Sequence, residues 1–323
     1  MRALLPAFGL CLACATQRPA LSWEPSAAAS GTGWWGFSTA EFTLDTDASR
    51  EAGREATDAI QRELDALRAM MGNAAPSKVQ PLRIIVLANG LDYEKQFGRA
   101  TAGITSRSPE RVTIFLWGGP TKWTSHTGVA EGVSSTLTHE LAHFVLAQYF
   151  PVQPRWFAEG LAKYLEPYKW NEEGTSIELG LPNLNAYQTY MKNRSQGAAE
   201  AREWGNASLA EGESSRTLYG YSWALVHFLI NTDPQRFAQT MRLLAEHHPD
   251  EATAMALGGD ADALDKKVHE YMKAGQYHSV VVAVRHPLPP ATERGLNEAE
   301  VGEVMQVLEA AGSRFRGEKT AGR

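Results

Sequence analysis

The sequence predicts an α+β protein: a small mixed sheet, a helix carrying a paired-histidine motif, and a helical C-terminal subdomain. Two observations lead there. Strand-like and helix-like runs follow one another as strand, helix, strand, strand up to residue 117. Residues 134–150 then contain no Gly or Pro and hold His139-Glu140-Leu141-Ala142-His143, and beyond Pro167 the pattern turns helical and polar.

The first segment reads as an export signal. Arg2 precedes an apolar run over 3–13 that is too short to span a bilayer as a helix. Two cuts compete. Leu12-Ala13-Cys14 resembles the end of a bacterial lipobox, with Cys11 where a Leu is usual, and Ala13-Cys14-Ala15 is a small-x-small site for ordinary cleavage. A cysteine placed at the cut favours lipidation at Cys14. The expected location is therefore the bacterial cell envelope as a lipoprotein, otherwise the periplasm or medium. Cys11 and Cys14 are the only cysteines, so no disulfide framework supports the fold.

The expected organisation is a signal over 1–15, a linker rich in Ala, Ser, Gly and Pro over 16–36, a metal-binding subdomain over 37–170, a helical C-terminal subdomain over 171–275, and a tail over 276–323 with one helix. Alternation over 42–45 starts a strand. Ala52, Ala56, Ile60, Leu64 and Leu67 mark one face of a helix over 48–71. A buried strand over 81–88 ends at Asn89-Gly90, and a short helix starts over 93–97. A further strand over 111–117 is stopped by Gly118-Gly119-Pro120. Later helices are expected over 217–230, 234–246, 262–274 and 297–311, with a strand over 278–284 and a break at Pro287-Leu288-Pro289-Pro290.

The motif has a physical reading. Four helical residues turn through about 400°, so His139 and His143 share a face about 40° apart and can hold one metal ion. Glu140 is rotated about 100° from His139, which suits a carboxylate that meets metal-activated water rather than the metal. Zinc lowers the pKa of bound water to near ~7, and a base must still take its proton. Pro151 and Pro154 end that helix, and a second one runs from 154 to 165 before Pro167. Glu159, expected in its first turn, can point back at the histidines if the two helices are antiparallel neighbours. Gly160 and Ala162 are small enough to let those two backbones approach closely. Two His and one Glu would leave a fourth position open, the catalytic arrangement for one Zn²⁺ per chain. A metzincin is excluded, because Leu146 and Tyr149 stand where its Gly and third His belong.

With Trp156-Phe157-Ala158-Glu159-Gly160-Leu161-Ala162-Lys163-Tyr164 following the histidines, the chain resembles the gluzincin metallopeptidases of the MA clan, in particular the bacterial peptidase MA-like group. The stretch from Ala40 to Asp47 resembles the start of those domains, and the stretch from Tyr219 to Leu229 resembles a helix they carry after the metal site. The likeness covers roughly 37–245. It implies a zincin-like fold, zinc held by His139, His143 and Glu159, Glu140 as general base, and a peptide or protein substrate. It also implies an oxyanion-stabilising Tyr, best matched by Tyr219 with Tyr221 as fallback. The strand over 111–117 is placed like the zincin edge strand to which an extended substrate adds, although a plain core strand fits equally. The spacing from His143 to Glu159 is shorter than in thermolysin-like members.

Other candidates have plainer readings. His126 lies in a loop, where solvation is the ordinary state. His227 falls in an apolar helix stripe and reads as packed core, and His247-His248 follow a helix whose dipole favours them. Asp260 and Asp262 lack calcium-loop spacing. A net charge of −6 and a pI near 5.9 leave no basic footprint for nucleic acid. Membrane association is expected only through a lipid at Cys14. The competing class is a non-catalytic envelope protein that keeps a zincin scaffold for binding. Loss of Glu140 or of a ligand would favour it, and all four residues are present.

Overall fold

Strand pairing begins earlier than the sequence suggests. The computed structural model describes residues 23, 31–72, 76, 79–98, 103–108, 110–123, 136–193, 197–204, 213–285 and 291–321, with 213–216 and 318–321 described by backbone alone. The expected signal, both cysteines and His126 lie outside the described residues. β1 (Trp35–Ser38) forms a hairpin with β2 (Phe42–Thr46), so the expected linker gives way to strand before residue 36. Trp34 is buried, and Trp23 packs edge-on against Trp123. Both sit against the folded body.

Ser49 caps α1 (Arg50–Met70) by accepting from the Ala52 amide, and the helix buries the predicted stripe of Ala52, Ala56, Ile60, Leu64 and Leu67. β3 (Leu82–Leu87) lies parallel to β2, and Asn89 caps α2 (Gly90–Phe97). β4 (Gly103–Arg107) then pairs antiparallel with β5 (Val112–Trp117), which lies parallel to β3. β4 was not expected, because Gly103-Ile104-Thr105-Ser106-Arg107 lacks an apolar alternation. Its presence moves the expected edge strand, β5, into the interior: the order is β4-β5-β3-β2-β1-β9, with β9 (Thr292–Gly295) at the far side.

α3 (Thr136–Tyr149) carries the histidine motif and packs on α1 and β4; α4 (Arg155–Leu165) follows after Pro154. Helix α4 begins at Arg155, so Glu159 lies in the second turn rather than the first. β6 (Tyr168–Trp170) and β7 (Ser176–Leu179) open an unexpected second sheet. The helices α5 (Leu184–Lys192), α6 (Ala198–Glu203), α7 (Glu213–Thr232), α8 (Pro234–Ala245), α9 (Pro249–Leu257) and α10 (Ala261–Ala274) come next. β8 (Val280–Ala283), close to the expected strand, completes that sheet in the order β6-β7-β8.

The predicted boundary at 170 is not a break in the core. One continuous set of buried apolar side chains runs from Phe37 through Leu141, Trp156 and Trp223 to Met272. Nor is the last segment a tail. β9 pairs antiparallel with β1, and α11 (Glu298–Ala321) packs against α2 over the reverse face of the first sheet. There Val304 and Leu308 meet Ile85, Phe97 and Phe115 in a second core. The sheet is thus covered on both faces, which explains why β3, Arg83 aside, is apolar on both of its faces. Among the described residues no helix is long and apolar enough to cross a membrane.

Candidate metal centre

Leu137, Leu141, Phe144 and Val145 of α3 face the core, which leaves His139, Glu140 and His143 on the half-buried stripe beside α4 and β4. From α4, Glu159 reaches the same place. His139 Nε2 lies 3.1 Å from His143 Nε2, and Glu159 Oε2 lies 3.5 and 3.3 Å from them. The two rings stand nearly perpendicular, at 86°.

These distances fit a shared ion. Zinc binds imidazole nitrogen and carboxylate oxygen at about 2.0–2.2 Å, so ligand atoms around one tetrahedral ion stand about 3.3–3.6 Å apart. The chemistry of the three atoms fits as well. His139 Nδ1 is 2.7 Å from Glu166 Oε1, an acceptor, so the ring carries its proton on Nδ1 and turns a bare lone pair on Nε2 toward His143. Glu159 Oε2 is buried, and the groups it faces are those two imidazoles. With both rings protonated on Nδ1, the two Nε2 atoms and Glu159 Oε2 can offer their lone pairs to one cation. In the metal-free chain a proton lies between the two Nε2 atoms instead. Burial and the Lys163 charge push the His139 pKa down, but the hydrogen bonds with Glu159 and Glu166 outweigh them and lift it to about 9. Burial would raise the Glu159 pKa; the two imidazoles hold it well below the usual carboxylate range.

Glu166 had no signal in the sequence that tied it to the motif. It is 2% exposed and receives Lys163 Nζ at 2.6 Å on the oxygen that meets His139, with Asn183 Nδ2 at 2.9 Å on the other. Burial alone would raise its pKa, yet the Lys163 ammonium and the His139 bond bring it down to about 2, so it stays ionised. A buried, charged carboxylate that fixes a histidine tautomer is the support a metal ligand needs. Its only sequence hint is its place seven residues after Glu159 on the same helical face.

β4 supplies two more groups that the sequence did not offer. Thr105 Oγ1 donates to Glu140 Oε2, and Arg107 Nη2 donates to the His143 carbonyl at 3.0 Å. The hydroxyl fixes one carboxylate oxygen of Glu140.

The two tyrosines part company. Tyr219 OH accepts from Arg155 Nη2 at 3.3 Å, and both groups pack on Trp204. Burial first, then the nearby Glu159 charge, raise the Tyr219 pKa, so the phenol keeps its proton at neutral pH. Tyr221 OH instead donates to Asp265 Oδ1 at 2.6 Å, on α10, which removes the fallback from the site. Gly160 also has a different role from the expected one. A Cβ there would stand 2.5 Å from the Ser222 carbonyl oxygen, so the glycine lets α4 approach α7 rather than α3.

The remaining candidates are structural. His227 is fully buried, with Nδ1 2.8 Å from Tyr271 OH, and burial lowers its pKa to about 4. Asp260 caps α10 with its side chain, His248 stands at the N-terminal boundary of α9 without a side-chain capping bond, and His247 occupies the turn between α8 and α9. Among the described residues, His139, His143 and Glu159 form the one group of three such side chains that could hold a metal ion.

No curated protein matches the chain. A family model described as a protein of unknown function (DUF1570) matches residues 133–251, a span that holds His139, Glu140, His143, Glu159, Glu166 and Tyr219 and leaves out β4.

Proposed function

We propose that the chain is a zinc-dependent metallopeptidase of gluzincin type, built on a zincin-like arrangement of β4, α3 and α4. The observation that carries this reading is the convergence of three potential ligand atoms, His139 Nε2, His143 Nε2 and Glu159 Oε2, with Glu140 beside them and not among them. A structural zinc site would usually fill its fourth position with Cys or His, and no such fourth residue joins the group among the described residues.

When bound, zinc supplies a Lewis acid that acidifies water and polarises a carbonyl. The chain's own residues do the rest. Glu140, held through one oxygen by Thr105, takes the proton from the attacking water and returns it to the leaving amine. Glu166 keeps His139 in the tautomer that offers Nε2. The Tyr219 phenol, neutral and fixed by Arg155, donates to the oxyanion as it forms. β4, the edge strand among the described residues, offers backbone groups to an extended peptide, the role the sequence had suggested for β5.

The test is hydrolysis of a mixed peptide library by the zinc-loaded chain, by the same protein after chelation, and by Glu140→Gln. Cleavage only in the first sample is expected. Zinc bound in all loaded samples with cleavage in none would replace this reading with the binding scaffold. Export with lipidation at Cys14 is part of the proposal. Intact mass of the mature N-terminus checks it, and an unmodified terminus at Thr16 would contradict it.

A further inference from the structure

The reverse face of the first sheet holds a second constellation, with the opposite chemistry. Side chains alternate across a strand, so Thr105 turns toward α3 while Ser106 turns to the α11 side. Register places Ser106 opposite Thr113 of β5, and Thr113 opposite Arg83 of β3. A polar row therefore crosses the strands on a face that is otherwise apolar, through Ile85, Leu87 and Phe115. Over it lies one stripe of α11, Val307, Ala310, Ala311 and Arg314, spaced as a helix face. The space between is a cavity of about 310 Å³, into which Arg111 also projects.

The donors outnumber the acceptors there. Arg83 is satisfied by Asp45 at 2.7 Å. Arg111 and Arg314 have no carboxylate partner, and the Ser106 and Thr113 hydroxyls no hydrogen bond, among the described residues. Glu110 stands on the wall and offsets one arginine. The cavity keeps a net positive charge in a chain of net charge −6. Its volume falls at the small end of ligand sites, which run from about 300 to 1,000 Å³.

We infer that this cavity binds a small phosphate-bearing anion. Guanidinium groups from β5's leading edge and from α11, with hydroxyls below them, supply donors from several directions, which suits a tetrahedral oxyanion better than a planar carboxylate. The site lies across β4 from the histidines and does not depend on the peptidase reading.

The experiment is calorimetric titration of the purified full chain with inorganic phosphate at low ionic strength, with succinate in a parallel arm. Saturable phosphate binding, at least several-fold tighter than succinate, is expected. Arg111→Ala and Arg314→Ala should each weaken it about ten-fold, and Arg314→Glu should abolish it. Lys169→Ala, on the second sheet, should leave it unchanged. Both arginines are exposed, so these variants keep the fold, which circular dichroism verifies. No phosphate binding, or affinity equal in wild type and both alanine variants, overturns the site. Succinate binding as tightly as phosphate overturns the ligand class.

Discussion

The two faces of the first sheet differ in the sign of what they lack. Toward α3 and α4, two imidazole nitrogens and a carboxylate oxygen converge as a group that could hold a cation; toward α11, arginines and hydroxyls outnumber the one carboxylate on the wall, Glu110. The front site is also supported in depth. Glu166, Lys163 and Asn183 hold His139 from behind, and Thr105 holds Glu140 from β4. The back site has one internal ion pair, Arg83 with Asp45, and is otherwise open. Rigid support of this kind fits a group whose orientation must be kept through a reaction, while an open set of long side chains fits reversible binding of a small ion.

The largest expected effect breaks the front site chemically and leaves it intact structurally. Glu140→Gln keeps size and hydrogen bonding but cannot accept a proton, so peptide hydrolysis should fall by about 10²-fold or more while zinc content stays unchanged. Next comes the support behind the ligand. Glu166→Gln cannot hold the imidazole with the same charge, and zinc affinity, measured by competition with a chromogenic chelator, should fall about 10–100-fold. Unchanged affinity would reduce Glu166 to a packing role. Tyr219→Phe should lower kcat about ten-fold with little change in KM, whereas Tyr221→Phe should leave kcat alone, since its hydroxyl belongs to Asp265. Equal kcat in both variants would remove Tyr219 from the chemistry. The smallest effect is on stability alone. In Gly160→Ala the new methyl meets the Ser222 carbonyl, so α4 and α7 must separate, at a cost of about 1–3 kcal/mol in denaturant unfolding.

What could be read in advance follows the range of each interaction. His139, Glu140 and His143 are related by helical period alone, and Glu159 by two helices joined across Pro151 and Pro154, so local rules were sufficient for them. Thr105 meets Glu140 across 35 residues of chain, and Glu166 meets His139 across 27, through contacts that no periodicity encodes. β4 and β9 escaped for a related reason. Gly103-Ile104-Thr105-Ser106-Arg107 and Thr292-Glu293-Arg294-Gly295 lie at the two edges of the sheet, where composition is polar and pairing is set by the neighbouring strand. α11 shows the amphipathic pattern plainly, yet only tertiary structure says that its apolar stripe closes the reverse core. The small size of Gly160 was noticed, but the partner it admits, Ser222 of α7, lies more than sixty residues on.

Metal analysis of the purified chain beside His143→Ala tests the central claim most directly. The proposed site predicts about one zinc per wild-type chain and little in the variant, where one of the three candidate ligand atoms is gone. Equal zinc in the two proteins, or none in the wild type after exposure to zinc, would contradict it.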